Sequence, residues 1–297
     1  MDPSMVSFII LSFNRKDALM KAVAGAARQR YANKEIVVVD NGSTDGTVAL
    51  LAQTSPETRV VALPENVGAP AARNRGVEAA RGGVLVFLDD DCVLDGDSAA
   101  ELVVRHFEAD PACGAVAFQI LDPRTHGDWP YGLYDGSDCP MAFECALFRS
   151  GGVAIRRAVL TEVGGFWEPF FIVHEDTELA LRMIVSGWKI VGRRDIVTWH
   201  PAPDPAAPPN PRREIYFKVR NTIWLSAKSM PVSLIPSFLL PTLARSMNLA
   251  VRTGRMTLLI RAVVDGLRGM SRCLRERRPV STAWVRRART LHMRLWS

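Results

Sequence analysis

Val-Leu-Val-Phe-Leu-Asp-Asp-Asp-Cys, residues 84–92, joins an unbroken apolar run to three consecutive carboxylates. The run mixes β-branched and aromatic side chains and has the length of a strand buried on both faces, which places the acids at its carboxyl end. Three carboxylates gathered there repel one another and lose hydration. A divalent cation resolves that cost, and alternation along extended backbone turns Asp89 and Asp91 to one side to share it. The plainer reading is a solvated acidic turn that caps the next helix.

Upstream, strand and helix patterns alternate. Residues 6–11, 35–39 and 58–63 are apolar runs, and residues 17–29, 43–53 and 69–81 have helical spacing, the second with Ser43 or Thr44 as its cap. Strict alternation predicts an α/β fold with a parallel sheet wound by helices. Ligands of such sheets gather at the carboxyl ends of strands, where Asp40 and the Asp89–Asp91 cluster both fall. Asp40-Asn-Gly-Ser-Thr-Asp-Gly-Thr47 suits a base or a polar sugar group, and equally an ordinary capped turn. Asn66-Val-Gly-Ala-Pro-Ala-Ala-Arg-Asn-Arg-Gly76 opens a helix with Arg73 and Arg75 on its early turns. Neither a GxxxxGK[ST] loop nor a GxGxxG fingerprint is present, so neither of those two nucleotide folds is supported.

These three ordered stretches, with Phe87-Leu-Asp-Asp-Asp91 as the last, resemble the family 2 inverting nucleotide-sugar glycosyltransferases. The resemblance covers roughly residues 6–200. It implies a GT-A fold, Rossmann-like with a mostly parallel central sheet, followed here by a helical basic C-terminal extension. It implies that Asp40 and Asn41 meet the uracil or thymine of a UDP- or dTDP-sugar, that Arg73, Asp89 and Asp90 contact the donor, and that Asp91 binds Mg or Mn. Gly68-Ala-Pro70 departs from the commoner Gly-x-Ser/Gly wording.

Residues 98–109 and 114–121 read as helix and strand, and periodicity then lapses across residues 122–145. Trp129, Tyr131 and Tyr134 in that loop would stack on sugar rings or simply pack it on the sheet. After a strand at 151–155 comes Gly164-Gly-Phe-Trp-Glu-Pro-Phe-Phe171, then His174-Glu-Asp-Thr-Glu-Leu-Ala-Leu-Arg182. A helix expected from Thr177 onward leaves Glu175 and Asp176 at its amino-terminus, where acids also serve as plain dipole partners. The resemblance makes Asp176 the catalytic base, with Glu175 beside it, and makes His200 a late ligand of the metal or diphosphate. The family often has Asp where this chain has Glu178.

Length and composition set the frame. The chain has 297 residues, 48% of them hydrophobic, enough for a full core. Its five cysteines show no CxxC spacing, so structural zinc and a disulfide framework are not expected and a reducing cytosol fits. Met-Asp-Pro-Ser-Met at the start lacks a charged segment followed by an apolar core, so no secretion signal is expected.

The charge is split. Residues 1–200 hold 19 Lys and Arg against 27 Asp and Glu, whereas residues 201–297 hold 18 against 4. Such a tail meets an anionic surface, membrane or nucleic acid. The sequence divides into a catalytic domain at 1–200 (nucleotide half about 1–110, acceptor half about 111–200), a Pro-rich strap at 201–211 and a helical basic extension at 212–297. Within the extension, Arg220-Asn221 matches a pair that relatives place near the donor site. Residues 232–244 are apolar but short and interrupted by Pro236 and Pro241, so they do not read as a membrane span. Met256, Ile260, Val263, Leu267, Met270 and Leu274 form one apolar stripe beside Arg261, Arg268, Arg272 and Arg275, a helix for an anionic membrane surface or, alternatively, for docking on the catalytic domain or in a homodimer.

The expected function is metal-dependent transfer of a sugar to a hydroxyl of a lipid-linked glycan or small molecule, in the cytoplasm or peripherally at the inner face of the cell membrane. The competing readings are a silent nucleotide-sugar-binding module and a basic nucleic-acid-binding protein. The second leaves Asp40, Asp89, Asp91 and Asp176 without a task.

Overall fold

The computed structural model describes residues 2–128, 140–202 and 210–290. Trp129, Tyr131, Tyr134 and most of the Pro-rich strap lie outside the described residues. The elements run β1 (Asp2–Ser12), α1 (Lys16–Ala27), β2 (Lys34–Asp40), α2 (Thr47–Thr54), β3 (Arg59–Ala62), α3 (Ala69–Ala79), β4 (Gly82–Asp89), β5 (Val93–Leu94) and α4 (Ala99–Ala109). They continue as β6 (Cys113–Leu121), β7 (Ala142–Cys145), β8 (Val153–Arg156), α5 (Arg157–Val163), α6 (Glu175–Val185) and β9 (Lys189–Trp199). The last five helices are α7 (Lys218–Ser229), α8 (Ile235–Arg252), α9 (Met256–Arg268), α10 (Met270–Arg275) and α11 (Thr282–Thr290).

The strands form one sheet in the order β3-β2-β1-β4-β8-β6-β9-β5, with β7 also on β9. Its first four strands are parallel, as the alternating pattern predicts. Beyond them β8 is antiparallel to both β4 and β6, so the second half is mixed. Alternation sorts the side chains: Phe8, Ile10, Val38, Val86 and Leu88 face α1 and α4, while Ile9, Val37, Val39, Leu85 and Phe87 face α3, α5 and α6. Phe87 is fully buried with its ring edge-on to Phe166 at 5.2 Å. Burial of such a ring stabilises the fold by roughly 1.5–3 kcal/mol.

Parallel register makes the strand ends level, Ser12 beside Asp40 and Leu11 beside Asp89. The short β5 pairs antiparallel with the end of β9, Val93 opposite Trp199. That pairing returns the chain after the Asp triplet to the residue before His200.

A third apolar cluster joins Trp167, Phe170 and Leu181 to Ile215, Val219, Trp224, Leu259 and Cys273 of the C-terminal region. α7 is buried along almost its whole length, with α8, α9 and α10 packed on it. α11 returns to the sheet, burying Ala288 in the first cluster, and Arg287 pairs with Glu144 at 2.7 Å. Two sequence expectations change here. Residues 232–244 are not interrupted: Pro236 sits in the first turn of α8 and exposed Pro241 lies within the continuous helix. α9 does not present one apolar stripe: Leu259, Ala262 and Gly266 face inward, while Ile260, Leu267 and Leu274 point outward.

Candidate active site

Three strand ends and one helix start build the site. Asp40 closes β2 and is 2% exposed; its Oδ2 accepts the Ser43 N–H at 3.2 Å, whereas its Oδ1 has no hydrogen-bond partner. The buried Ser12 hydroxyl at the neighbouring strand end also has none. Buried polar atoms almost always have partners, so two orphans side by side mark a place completed by something else. The expected helix start at Ser43 or Thr44 moves to Thr47, because Asp45 accepts from the Thr47 N–H at 3.1 Å and from its hydroxyl at 2.5 Å. Ser43 instead accepts from the Asn14 N–H at 2.9 Å. Asn41 is a brace: its Oδ1 accepts the Val67 N–H at 3.0 Å and its amide donates to Asn66 at 3.1 Å.

At the end of β4 the three aspartates diverge. Asp90 turns to the other side of the strand, accepting the Phe13 N–H at 3.1 Å, and burial pushes its carboxyl up to about 6 against the pull of that N–H and of Arg15. Asp89 and Asp91 share the outer side. Arg15, at the start of α1, contacts Asp91 closely and lies 3.4 Å from Asp90. Asp91 Oδ1 is also 3.4 Å from His200 Nε2, the juxtaposition expected from sequence.

Arg73 is the node between the two acidic motifs. Its side chain is 4% exposed; it donates to Asp89 Oδ1 at 2.7 Å and to Glu175 Oε1 at 3.1 Å. Burial raises the Asp89 carboxyl, but Arg73 and then His200 outweigh it and hold the group below its ordinary range. Glu175 goes the other way: burial and the adjoining Asp176 raise it against the pull of Arg73. Arg75 points outward and pairs with Glu78.

α6 begins at Glu175, two residues earlier than the apolar stripe indicates. Asp176 Oδ1 accepts the Thr177 N–H at 2.7 Å, and its Oδ2 is 3.6 Å from Arg149. Glu178 is wholly buried, held by Arg182 at 2.8 Å and Lys228 at 3.3 Å, so it braces the helix and faces no solvent. Before α6, Phe171, Val173 and His174 all have positive φ (65°, 73° and 74°). Each such residue costs on the order of 1–3 kcal/mol and persists only where its surroundings fix it. Here the Asn221 amide donates to the carbonyls of Phe170 (3.0 Å), Ile172 (2.6 Å) and Val173 (2.9 Å). Arg220 donates to Pro169 and Phe170, and Phe171 stacks on Phe217 at 5.2 Å. The Phe171 carbonyl in turn accepts from the Ala69 N–H at 2.7 Å, and a Cβ on Gly68 (φ +89°) would fall 2.6 Å from that oxygen. The Arg220-Asn221 pair thus holds the loop that delivers the Glu-Asp motif.

The donor set suits a hard divalent cation. Ligand atoms of Asp89, Cys92 and His200 lie within 4.8 Å of one another, with Asp91 beside His200. Burial, with Asp89 and Asp91 nearby, drives the Cys92 thiol well up, so it stays protonated and is a poor ligand. That leaves the Asp91 carboxylate and the His200 imidazole, with the Asp89 carboxylate close by, a set that accommodates Mg or Mn. Sequence reasoning missed Ser12, Arg15 and Arg149. The first two lie at and just beyond the end of β1, the same positional signal that singles out Asp40.

A mixed α/β sheet whose parallel strands end in carboxylates, with an acidic helix start beyond them, is the architecture of a GT-A glycosyltransferase. The family model described as glycosyl transferase family 2 matches residues 7–164, more than half of the chain. The chain belongs to glycosyl transferase family 2. It is 36% identical over 118 residues to the succinoglycan biosynthesis protein ExoO of Rhizobium meliloti, covering 39% of this chain and 33% of that one. The matched segment therefore spans about a third of that relative. The mannosyltransferase PcManGT of Pyrobaculum calidifontis, in complex with GDP-Man and Mn2+, superposes with a TM-score of 0.58 at 22% identity, over 90% of this chain and 88% of that one. TarS of S. aureus in complex with UDP-GlcNAc gives 0.61 at 17% identity, over 92% and 84%. At these identities the two structures speak for the fold alone.

Proposed function

We propose that the chain is an inverting, metal-dependent glycosyltransferase that moves a sugar from a UDP- or dTDP-sugar to a hydroxyl of a lipid-linked glycan at an anionic membrane surface. The observation that carries this is Arg73, one buried guanidinium bonded both to Asp89 of the strand-end cluster and to Glu175 of the helix-start pair. A donor diphosphate end and an acceptor-activating end are thereby held in fixed relation. The division into 1–200, 201–211 and 212–297 belongs to the same proposal.

Asp40 Oδ1 accepts the imide N–H of uracil or thymine, and the Ser12 hydroxyl supplies the adjacent polar contact; both atoms otherwise lack partners. Asn41 holds the base-side turn in place, and Asp89 receives the ribose. Asp91 and His200 would hold Mg or Mn, which when bound supplies positive charge to the departing diphosphate. Asp176 takes the proton of the acceptor hydroxyl as that oxygen bonds to the anomeric carbon from the face opposite the phosphate; the carbon–phosphate oxygen bond breaks and the nucleoside diphosphate leaves with the electron pair. Glu175, bonded to Arg73, keeps the helix start oriented. The relative named for succinoglycan biosynthesis supports a glycan acceptor.

The test is the thermal midpoint of the full chain with UDP, dTDP and GDP, with and without Mn. A ligand at a hundred times its Kd adds about 2.7 kcal/mol, which is on the order of 4 °C for a chain of this size. The reading requires a shift with UDP or dTDP that needs Mn and is lost in Asp91→Ala. A shift with GDP alone, or none with any nucleotide, overturns it.

A further inference from the structure

From the helices at the C-terminal end we infer that the outer face of the α8–α9 layer docks on an anionic lipid bilayer, lying flat with its apolar residues among the lipids and its arginines at the headgroups. The inference rests on the membrane reading above and assigns the surface responsible.

On α8, Leu240, Met247 and Val251 are exposed at spacings of seven and four; on α9 and α10, Ile260, Leu267 and Leu274 are exposed at spacings of seven. Those intervals keep each set on one side of its helix. Five of the six are 53–63% exposed, and they lie away from the buried side of each helix: from Phe238, Ser246 and Ala250 on α8, and one residue, about 100°, on from the buried Leu259 and Gly266 on α9. Both helices are therefore apolar on two sides, and α7 occupies only one. Contiguous outward apolar rows on adjacent helices mark an interaction surface.

Charge chooses the occupant. Arg261, Arg268 and Arg275 follow the outward row of α9 and α10 one residue later, a third of a turn around the helix, and Arg252 and Arg255 close the α8–α9 connection. The acids beside them are Asp265, which meets Arg261 at 3.6 Å and Arg268 at 3.5 Å, and Glu276, which Lys228 and Arg272 hold. The surplus is strongly positive. A two-fold contact with a second copy would set this net positive patch against itself, whereas lipid phosphates neutralise it while the apolar rows enter the acyl boundary.

Val232–Arg252 is long and apolar enough by length and composition to cross a bilayer, the one such helix among the described residues. Its inner side is committed to protein: Phe238 lies in the third cluster, and the Ser246 hydroxyl donates to the Glu214 carbonyl at 3.2 Å. Arg245 and Pro241 stand among the exposed residues of the remainder. The helix lies along the surface.

The experiment is co-sedimentation of the full chain with vesicles of phosphatidylcholine alone and of phosphatidylcholine mixed with phosphatidylglycerol. The chain should bind the mixed vesicles and release them in molar salt. Each arginine near the lipid contributes about fivefold, so Arg255→Ser, Arg268→Ser and Arg275→Ser together weaken binding about a hundredfold. Ile260→Ser with Leu267→Ser and Leu274→Ser abolishes binding. Absence of binding to mixed vesicles, equal binding to both kinds, resistance of the bound chain to alkaline carbonate, or a dimer in solution that the serine variants dissociate would each overturn the inference. The Mn-dependent nucleotide shift, measured on the same preparations, reports folding and the donor site. If it persists while vesicle binding fails, the docking surface alone is wrong.

Discussion

Replacing Arg73 by methionine removes the charge between the two acidic motifs while roughly conserving volume. Its side chain is 4% exposed, and the Glu175 side chain it meets is 10% exposed. Deleting one partner of a buried ion pair costs about 3–5 kcal/mol, because the remaining carboxylates lose their counter-charge. At roughly 2.1 cal/mol/K of unfolding entropy per residue, a chain of this size loses about 1.6 °C per kcal/mol, so Tm falls by about 5–8 °C. The pH dependence carries the sign. Asp89 is held below its ordinary value, so its contribution is present above the unfolded pKa and disappears as pH falls through the folded one. Glu175 is already raised by burial and Asp176, with Arg73 the force opposing that rise. Without Arg73 both carboxyls move up, and the variant's deficit is greatest near neutrality, where both would ionise. Urea unfolding of wild type and Arg73→Met at about pH 7.5, 6 and 4.5 should show the difference narrowing as the solution becomes acidic. Arg73→Lys should fall between them, keeping the charge but losing the paired geometry. A deficit under about 1 kcal/mol, or one independent of pH, refutes the reasoning, since a solvated pair behaves that way.

Asp176→Asn should lower kcat by about 10²–10⁴-fold while donor binding stays as it was; an unchanged rate removes the base from the proposed scheme. Ser12→Ala replaces an unpartnered buried hydroxyl with a methyl group, so the unliganded protein should be as stable or more so while the nucleotide-dependent rise in Tm shrinks. Asn221→Ala leaves the Ile172 and Val173 carbonyls of the strained loop without this donor, while Phe170 keeps that of Arg220; a loss of about 1–3 kcal/mol and faster amide exchange at residues 170–174 are expected, and unchanged exchange would count against the clamp. Burial lowers His174 from 6.5 to about 4, so the fold favours its neutral form and this contribution is complete above pH 6.5 and lost as pH falls toward 4. His174→Asn, which tolerates positive φ, should flatten the stability profile across that window, and parallel wild-type and variant profiles would show that another group titrates there.

The strand ends were legible because an apolar run states where a buried strand stops and parallel register makes neighbouring ends level. Asp40, Asp89 and Asp91 follow from that alone, and the resemblance adds the pairing of His200 with Asp91. The antiparallel insertion of β8 was not legible: three apolar residues fit either direction, and the choice is made by partners far away in sequence. The fate of Asp90 was legible only as a side of the strand, since the Phe13 N–H that it accepts belongs to another connection. The orientation of α9 was misread for a definite reason. Periodicity weighs large apolar side chains, but contact with α7 is made where side chains are small. Gly266 lets Ile223 approach, since a Cβ there would lie 2.7 Å from its Cδ1, and the Gly266 carbonyl accepts the Trp224 indole N–H at 2.8 Å. The bulky Ile260, Leu267 and Leu274 are thereby turned outward.

The same helix α7 ties the basic extension to the acids at the start of α6. Asn221 and Arg220 fix the backbone of residues 169–173, the Thr222 hydroxyl lies 3.0 Å from His174 Nε2, and Lys228 reaches the buried Glu178. The start of α7 thus holds the segment that leads into Glu175 and Asp176, and its end holds the helix that follows them. Three positive-φ residues in that segment are conformations that the isolated loop would abandon. Composition draws a boundary near residue 200, but the position of Asp176 is set from beyond it. The carboxylates come from the acidic part of the chain, and the backbone that aims one of them is imposed by the basic part. The proposed lipid-facing layer rests on the other side of that same helix, so lipid contact and orientation of the base would share one structural support.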